Sequence, residues 1–234
     1  MKIQVLAAAL LAAVGIALTA EQPKIEGNDI VFGKTKVVCA KNGELTIVNG
    51  DRPVSTIACH YSVVNPAANK TDWNGIKEQD CTMTFENRKF TWVLNRKAFG
   101  QTWKALDQTL EILEDGRLKL TIKEYPAPEG LKLYDNCVFM TFPIPVFKGK
   151  TMKFQGKDVL LDAGTKPISP IKLPEVRGVK GRTYTFPLDP GSVTFYSESW
   201  SGITAFNNKM SNNFRLTWYL PAKTLEASFI IDIK

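Results

Sequence analysis

Residues 109–122 read Thr109-Leu110-Glu111-Ile112-Leu113-Glu114-Asp115-Gly116-Arg117-Leu118-Lys119-Leu120-Thr121-Ile122. Leu110 and Ile112 alternate with polar neighbours before the turn, as Leu118, Leu120 and Ile122 do after it. That period of two belongs to strands with one buried face. Asp-Gly between two such runs is a hairpin signal, because glycine takes the positive φ the turn demands. The same grammar runs outward in both directions. Lys36-Val37-Val38-Cys39 and Glu44-Leu45-Thr46-Ile47-Val48 flank Asn42-Gly43, residues 54–64 form a second β-rich run, and residues 81–85 and 90–94 are joined through Glu86-Asn87-Arg88-Lys89. Downstream, residues 137–142, 151–154, 159–161, 183–187, 192–199, 214–220 and 225–233 continue the pattern. No long segment keeps a 3.6-residue apolar period. Residues 98–107 have room for one helical turn, with Gly100 against more. About twelve short strands punctuated by turn signals predict an all-β fold: an antiparallel β-sandwich, of ordinary size or enlarged into a super-sandwich.

The N-terminus has a different character. Met1-Lys2 precedes an apolar, Ala-rich run over residues 3–18, and Thr19-Ala20 precede Glu21-Gln22-Pro23. This is the layout of a secretory signal peptide over residues 1–20, cut after Ala20. The rival, a membrane anchor, is disfavoured because the run falls short of the ~20 residues a span prefers. Cleavage leaves 214 of the 234 residues, expected to form a single sandwich domain over 21–234. The proline-bearing, basic stretch 164–181 is either a linker between two small domains or a long connection crossing one sandwich. The expected location is secreted, periplasmic or at the cell surface, with no membrane span after cleavage. The formal charge of +7 is spread along the chain. Nucleic-acid binders cluster such charge, so no nucleic-acid partner is expected.

Four cysteines remain, Cys39, Cys59, Cys81 and Cys137. An even count in an exported chain suggests two disulfides, with three possible connectivities. The rival is four unpaired thiols serving as small apolar strand residues. There is no C-x-x-C pair and His60 is the only histidine, so no zinc or other metal site is expected. Nucleophilic triads need a base, usually histidine, and His60 lies within a β-rich run. No G-x-S-x-G, H-E-x-x-H, G-x-G-x-x-G, P-loop or EF-hand pattern is present. No cofactor is expected; Ca²⁺ held by scattered oxygens leaves no sequence signature.

Aromatic residues are the positive signal: 5 Trp, 6 Tyr and 13 Phe. Sugar rings stack their apolar faces on flat side chains, so a glycan site needs aromatics on the solvent side of a sheet. Alternation places Phe214, Leu216 and Trp218 inward and Arg215, Thr217 and Tyr219 outward; Trp92 is inward too. Thr194, Tyr196, Glu198 and Trp200 share a face opposite Val193 and Phe195, and Asn207, Asn208 and Arg215 are candidate neighbours of that face. Trp73, in Thr71-Asp72-Trp73-Asn74-Gly75, and Trp103, in Gly100-Gln101-Thr102-Trp103-Lys104, sit in polar, loop-like surroundings. Tyr196, Glu198, Trp200, Trp73 and Trp103 are therefore the carbohydrate-binding candidates. No residue is singled out as catalytic.

The hairpin at 109–122, and the opening Ile30-Val31-Phe32-Gly33 with its Asn42-Gly43 turn, resemble strands of galactose-mutarotase-like super-sandwiches and of accessory sandwich domains in exported bacterial glycan-processing proteins. The resemblance implies a sandwich fold and a glycan context. It does not imply mutarotase activity, because that family's catalytic histidines have no counterpart beside the lone His60. The expected function is a non-catalytic, glycan-associated sandwich protein whose partner is a polysaccharide or cell-surface glycan. Two alternatives stand beside it. One is a lyase or hydrolase on an acidic glycan, drawing on Tyr196, Glu198 and nearby Arg or Lys. The other is a structural or protein-binding envelope component.

Overall fold

The computed structural model describes residues 22–175, 181–197, 202–219 and 226–234. The expected signal peptide, Glu198 and Trp200 lie outside the described residues, as do residues 176–180 of the Pro-bearing stretch. The strands are β1 (Lys24–Glu26), β2 (Asp29–Phe32), β3 (Thr35–Cys39), β4 (Leu45–Asn49), β5 (Arg52–Asn65), β6 (Lys70–Asp72), β7 (Cys81–Glu86), β8 (Lys89–Ala98), β9 (Gln101–Ile112) and β10 (Leu118–Glu124). After β11 (Lys132–Pro143) a single helical turn, α1 (Ile144–Phe147), leads to β12 (Thr151–Phe154), β13 (Lys157–Leu160), β14 (Ile168–Pro170), β15 (Arg182–Pro187), β16 (Ser192–Ser197), β17 (Gly202–Asn208), β18 (Asn213–Tyr219) and β19 (Glu226–Ile233).

These strands make two antiparallel sheets. One has ten strands in the order β1-β2-β3-β4-β5-β11-β18-β17-β14, with β6 pairing the far end of β5. The other has nine, in the order β13-β12-β15-β16-β19-β10-β9-β8-β7. An antiparallel β-sandwich is thus the fold, with more strands than the pattern of apolar runs suggests. The additions are largely short edge pieces such as β1, β6 and β14. The 109–122 hairpin is present, with Ile112 opposite Leu118 and Gly116 at φ 84°. Residues 98–107 form no helical turn. Ala98 faces Gln101 across a two-residue turn in which Phe99 and Gly100 both have positive φ, 50° and 79°. That is the twist-matched geometry of a tight hairpin, and it carries β9 through the whole segment.

Alternation places the core between the sheets. Ile30, Val37, Ile47 and Ile57 line it from the ten-stranded sheet, and Phe90, Leu110, Leu120, Phe229 and Phe195 from the other. Phe142 stacks on Phe186 across the interior, and Trp92 donates its indole N–H to the Ala40 carbonyl at 2.9 Å. Buried Gln108 on β9 donates Nε2 to the Gly43 carbonyl at 2.6 Å, tying the β3–β4 turn to the opposite sheet.

Lys234 is held against the start of β16: Ser192 and Lys234 exchange backbone hydrogen bonds of 2.8 and 3.0 Å. Gly191 sits at φ 99°, and a Cβ there would run into the Lys234 carbonyl. Gly191→Ala is expected to destabilise the protein by about 1–3 kcal/mol through backbone strain and loss of this closure. A urea midpoint equal to that of the native chain would contradict it.

The two expected disulfides do not form: none of the four cysteines is bridged to another. The pleat explains why. Cys137 lies opposite His60, so Val138 lies opposite Cys59; Cys59 and Cys137 therefore point to opposite faces of one sheet. Cys39 is on β3, separated from Cys59 by β4, about 10 Å across two strand spacings. That exceeds the ~7 Å Cα separation a disulfide tolerates. Cys81 belongs to the other sheet and donates to the Lys77 carbonyl at 3.2 Å. Burial pushes the Cys39 and Cys59 thiols up to about 12 and raises Cys81 as well. Protonated and enclosed, Cys39 and Cys59 act as small packing groups with little nucleophilic character.

Candidate functional site

The outward face of the ten-stranded sheet carries a run of rings in contact. Trp73, just after β6, is 55% exposed and meets Tyr134 of β11, 60% exposed, edge to face at a centroid distance of 4.8 Å. On its other side Trp73 lies 6.5 Å from His60 of β5, with the planes 23° apart. His60 stacks on Phe139 of β11 at 4.9 Å. The Arg215 guanidinium of β18 sits 4.6 Å from the Phe139 ring and 5.7 Å from that of Phe206 on β17. From β6 through β5, β11 and β18 to β17 the strip crosses four strand spacings, about 19 Å.

Register dictates this grouping. Cys137 pairs with His60, and Phe139 follows it by two on the same face. Thr141 pairs with Arg215, and Arg215 with Phe206. The inward partners of these residues, Val138, Met140, Leu216 and Trp218, are buried. With the hydrophobic positions committed to the interior, the intervening rings have only the outer face. Thr217, between Arg215 and Tyr219, faces the same way; it is buried and its hydroxyl has no partner among the described residues.

The end of the strip is fixed from below. The Asp72 carboxylate accepts the backbone N–H and side-chain amide of Asn74, both at 2.8 Å, closing a turn around Trp73. The same oxygen accepts from Arg96 Nη2 at 2.9 Å. Arg96 is buried at the end of β8 and also donates to the Lys97 and Tyr61 carbonyls, at 2.7 and 3.4 Å. Burial raises the Asp72 carboxyl, but the Asn74 N–H and the Arg96 guanidinium outweigh it and hold the group below its ordinary value. The ring of Trp73 is therefore carried on a short turn bonded to the other sheet. Asn74, Lys77, Asp80, Arg96 and Lys97 line a recess of about 340 Å³ next to this turn.

The other candidates fall elsewhere. Trp103 is a strand residue packed against the core, and its indole N–H donates to the Tyr61 hydroxyl at 3.3 Å. It closes one end of the sandwich instead of offering a platform. Tyr196 is half-buried on the outer face of the nine-stranded sheet, opposite Thr183 and Ile230. A Cβ at Gly181 would touch its ring at 2.9 Å, so the ring lies down on that glycine's backbone. Asn207, Asn208 and Arg215 are not its neighbours, because β17 and β18 belong to the other sheet. Glu198 and Trp200 lie outside the described residues.

Neither a protein-family model nor a curated protein matches this chain. The functional reading rests on the residues themselves. Among the described residues no group of three or more His, Cys, Asp or Glu side chains is arranged to hold a metal ion, and no helix is long and apolar enough to cross a membrane. Tyr61, whose carbonyl accepts from the buried Arg96, is pushed up to about 12 by its burial. A phenol in that state makes a poor base at neutral pH.

Proposed function

We propose that this protein is an exported, non-catalytic glycan-binding β-sandwich, and that Trp73, Tyr134, His60 and Phe139 form its binding face. One observation carries the reading: the rings touch in sequence across a sheet surface, and the two at the edge keep more than half of their area in solvent. Rings that serve only packing are drawn under cover, whereas a row left open offers a flat apolar track to the C–H faces of successive sugars. Hydroxyl partners are at hand in Asn74 and in the side chains bordering the turn. Export follows from the signal-like residues 1–20, and the glycan context also draws on the resemblance of two hairpins to accessory sandwich domains.

The test is affinity electrophoresis of the mature chain in gels containing a panel of soluble polysaccharides, with reducing ends and unsaturated products assayed in parallel. Retardation by at least one polymer without turnover is expected. Trp73→Ala should weaken that binding by about 1 kcal/mol, the scale of one aromatic platform, and leave the melting temperature unchanged because the ring is half in solvent. Turnover of any polymer would favour the lyase or hydrolase alternative. No retardation together with a stable oligomer would favour a structural or protein-binding role.

A further inference from the structure

We propose that the glycan is an acidic one bearing ring carboxylates, and that Arg215 is the group that reads the acid; this rests on the glycan-binding reading above. The Arg215 guanidinium lies against both Phe139 and Phe206. Its Nε is buried and has no hydrogen-bond partner. Among the described residues no carboxylate pairs with Arg215, and its side chain makes no hydrogen bond to any of them. Its terminal nitrogens are not among the buried atoms left without a partner, so they keep contact with solvent.

An arginine held between two rings has lost much of its rotamer freedom while its terminal fork stays unused. Such a fork matches the two oxygens of a carboxylate, and its order is already established before any ligand arrives. Some other cations of the protein are held by carboxylates: Lys36 by Asp29 at 2.8 Å, Lys104 by Asp107 at 2.7 Å, Arg117 by Asp115 at 2.6 Å. Arg215 is set apart by lying against two rings, Phe139 and Phe206, in line with His60 and Trp73, with its buried Nε unpartnered. A polymer of uronic acid residues presents apolar ring faces and carboxylates along one chain. It therefore matches both halves of the strip, the rings at the β6 end and the guanidinium at the β17 end.

The experiment compares polygalacturonate with its methyl ester, which keeps the sugar rings and removes the charge, using the full mature chain and its variants in the same gel assay. The acid form is expected to bind about tenfold more tightly than the ester, the scale of a charge-assisted bidentate contact. Arg215→Gln should abolish that preference, so that acid and ester bind alike. Arg215→Lys, which keeps the charge and loses the fork, should restore only part of it. Lys36→Gln, an equal change in net charge away from the strip, should leave the preference intact. Equal binding of acid and ester that still depends on Trp73 would overturn the acidic assignment alone. An equal loss of preference in Lys36→Gln would overturn it too, by showing that net charge is responsible. Binding of neither polymer, nor of any other uronate polymer such as alginate, would overturn the acidic assignment, and indifference of the whole polysaccharide panel to Trp73→Ala would take the glycan-binding reading with it.

Discussion

Truncating Trp218 to alanine should cost about 3–5 kcal/mol of stability, the range found when a large aromatic is deleted from a packed interior. The ring is fully buried. Its backbone pairs with Val138 on one side and Ile203 on the other, in the middle of the ten-stranded sheet. Its edge contacts reach the opposite sheet: Phe229 of β19 at 5.0 Å and Tyr184 of β15 at 5.5 Å. Deleting it removes a bridge between the sheets and leaves a cavity beside Tyr184 and Phe229. Chemical denaturation checks this directly. A fall in midpoint equivalent to less than 1 kcal/mol, with an unchanged slope, would mean that the ring does not bridge the sheets. Trp73→Ala provides the contrast, since the same chemical deletion on the outer face should leave the midpoint in place.

That contrast between two tryptophans was legible in the sequence at one position and not at the other. Trp218 sits in Phe214-Arg215-Leu216-Thr217-Trp218, where alternation alone assigns it to the interior and Arg215 to the exterior. Trp73 sits in Asp72-Trp73-Asn74-Gly75, where polar neighbours suggest a loop and no periodicity says which way the ring points. Its orientation is set by Asp72, whose partner Arg96 is 24 residues away on the other sheet. Hairpins read well for the same reason that Trp218 does: both halves of the information are local. Glu86-Asn87-Arg88-Lys89 is one such case, with Glu86 opposite Lys89 and positive φ at Asn87 and Arg88. Phe99-Gly100 was harder, because phenylalanine seldom occupies the positive-φ position of a turn.

Sheet order is what the sequence could not supply. His60, Phe139, Arg215 and Phe206 meet because β11 inserts between β5 and β18, three strands widely separated along the chain. Each residue's face follows from its own strand, but the adjacency of those strands is a property of the whole fold. The cysteines make the same point from the other side. An even count suggested pairing, whereas alternation around Cys59-His60 and Cys137-Val138, combined with the β5–β11 register, puts the closest two on opposite faces.

Breaking the Asp72–Arg96 pair should be the second large effect. Arg96 is 3% exposed at the side chain and Asp72 17%, so Asp72→Ala leaves a guanidinium almost wholly out of water without its counter-charge. Losing one partner of a buried pair costs about 3–5 kcal/mol, and the residual solvent contact of Asp72 places this case near 3. The loss should depend on pH in a defined direction. The Asp72 carboxyl is held below its ordinary value in the folded protein, so its ionised form favours folding. That contribution is whole above the unfolded-state value of about 3.9 and disappears as pH falls through the lower, folded-state value. Stability measured by urea unfolding should therefore separate the native chain from Asp72→Ala by a constant amount between pH 5 and 8, and the gap should narrow below about pH 4. The same variant unties the turn that carries Trp73, because Asn74 loses both bonds to the carboxylate. Glycan affinity should fall at pH 7 by as much as in Trp73→Ala, under conditions where the variant is still folded. A gap in stability that stays unchanged down to pH 2, or a variant that binds like the native chain, would detach Asp72 from either role.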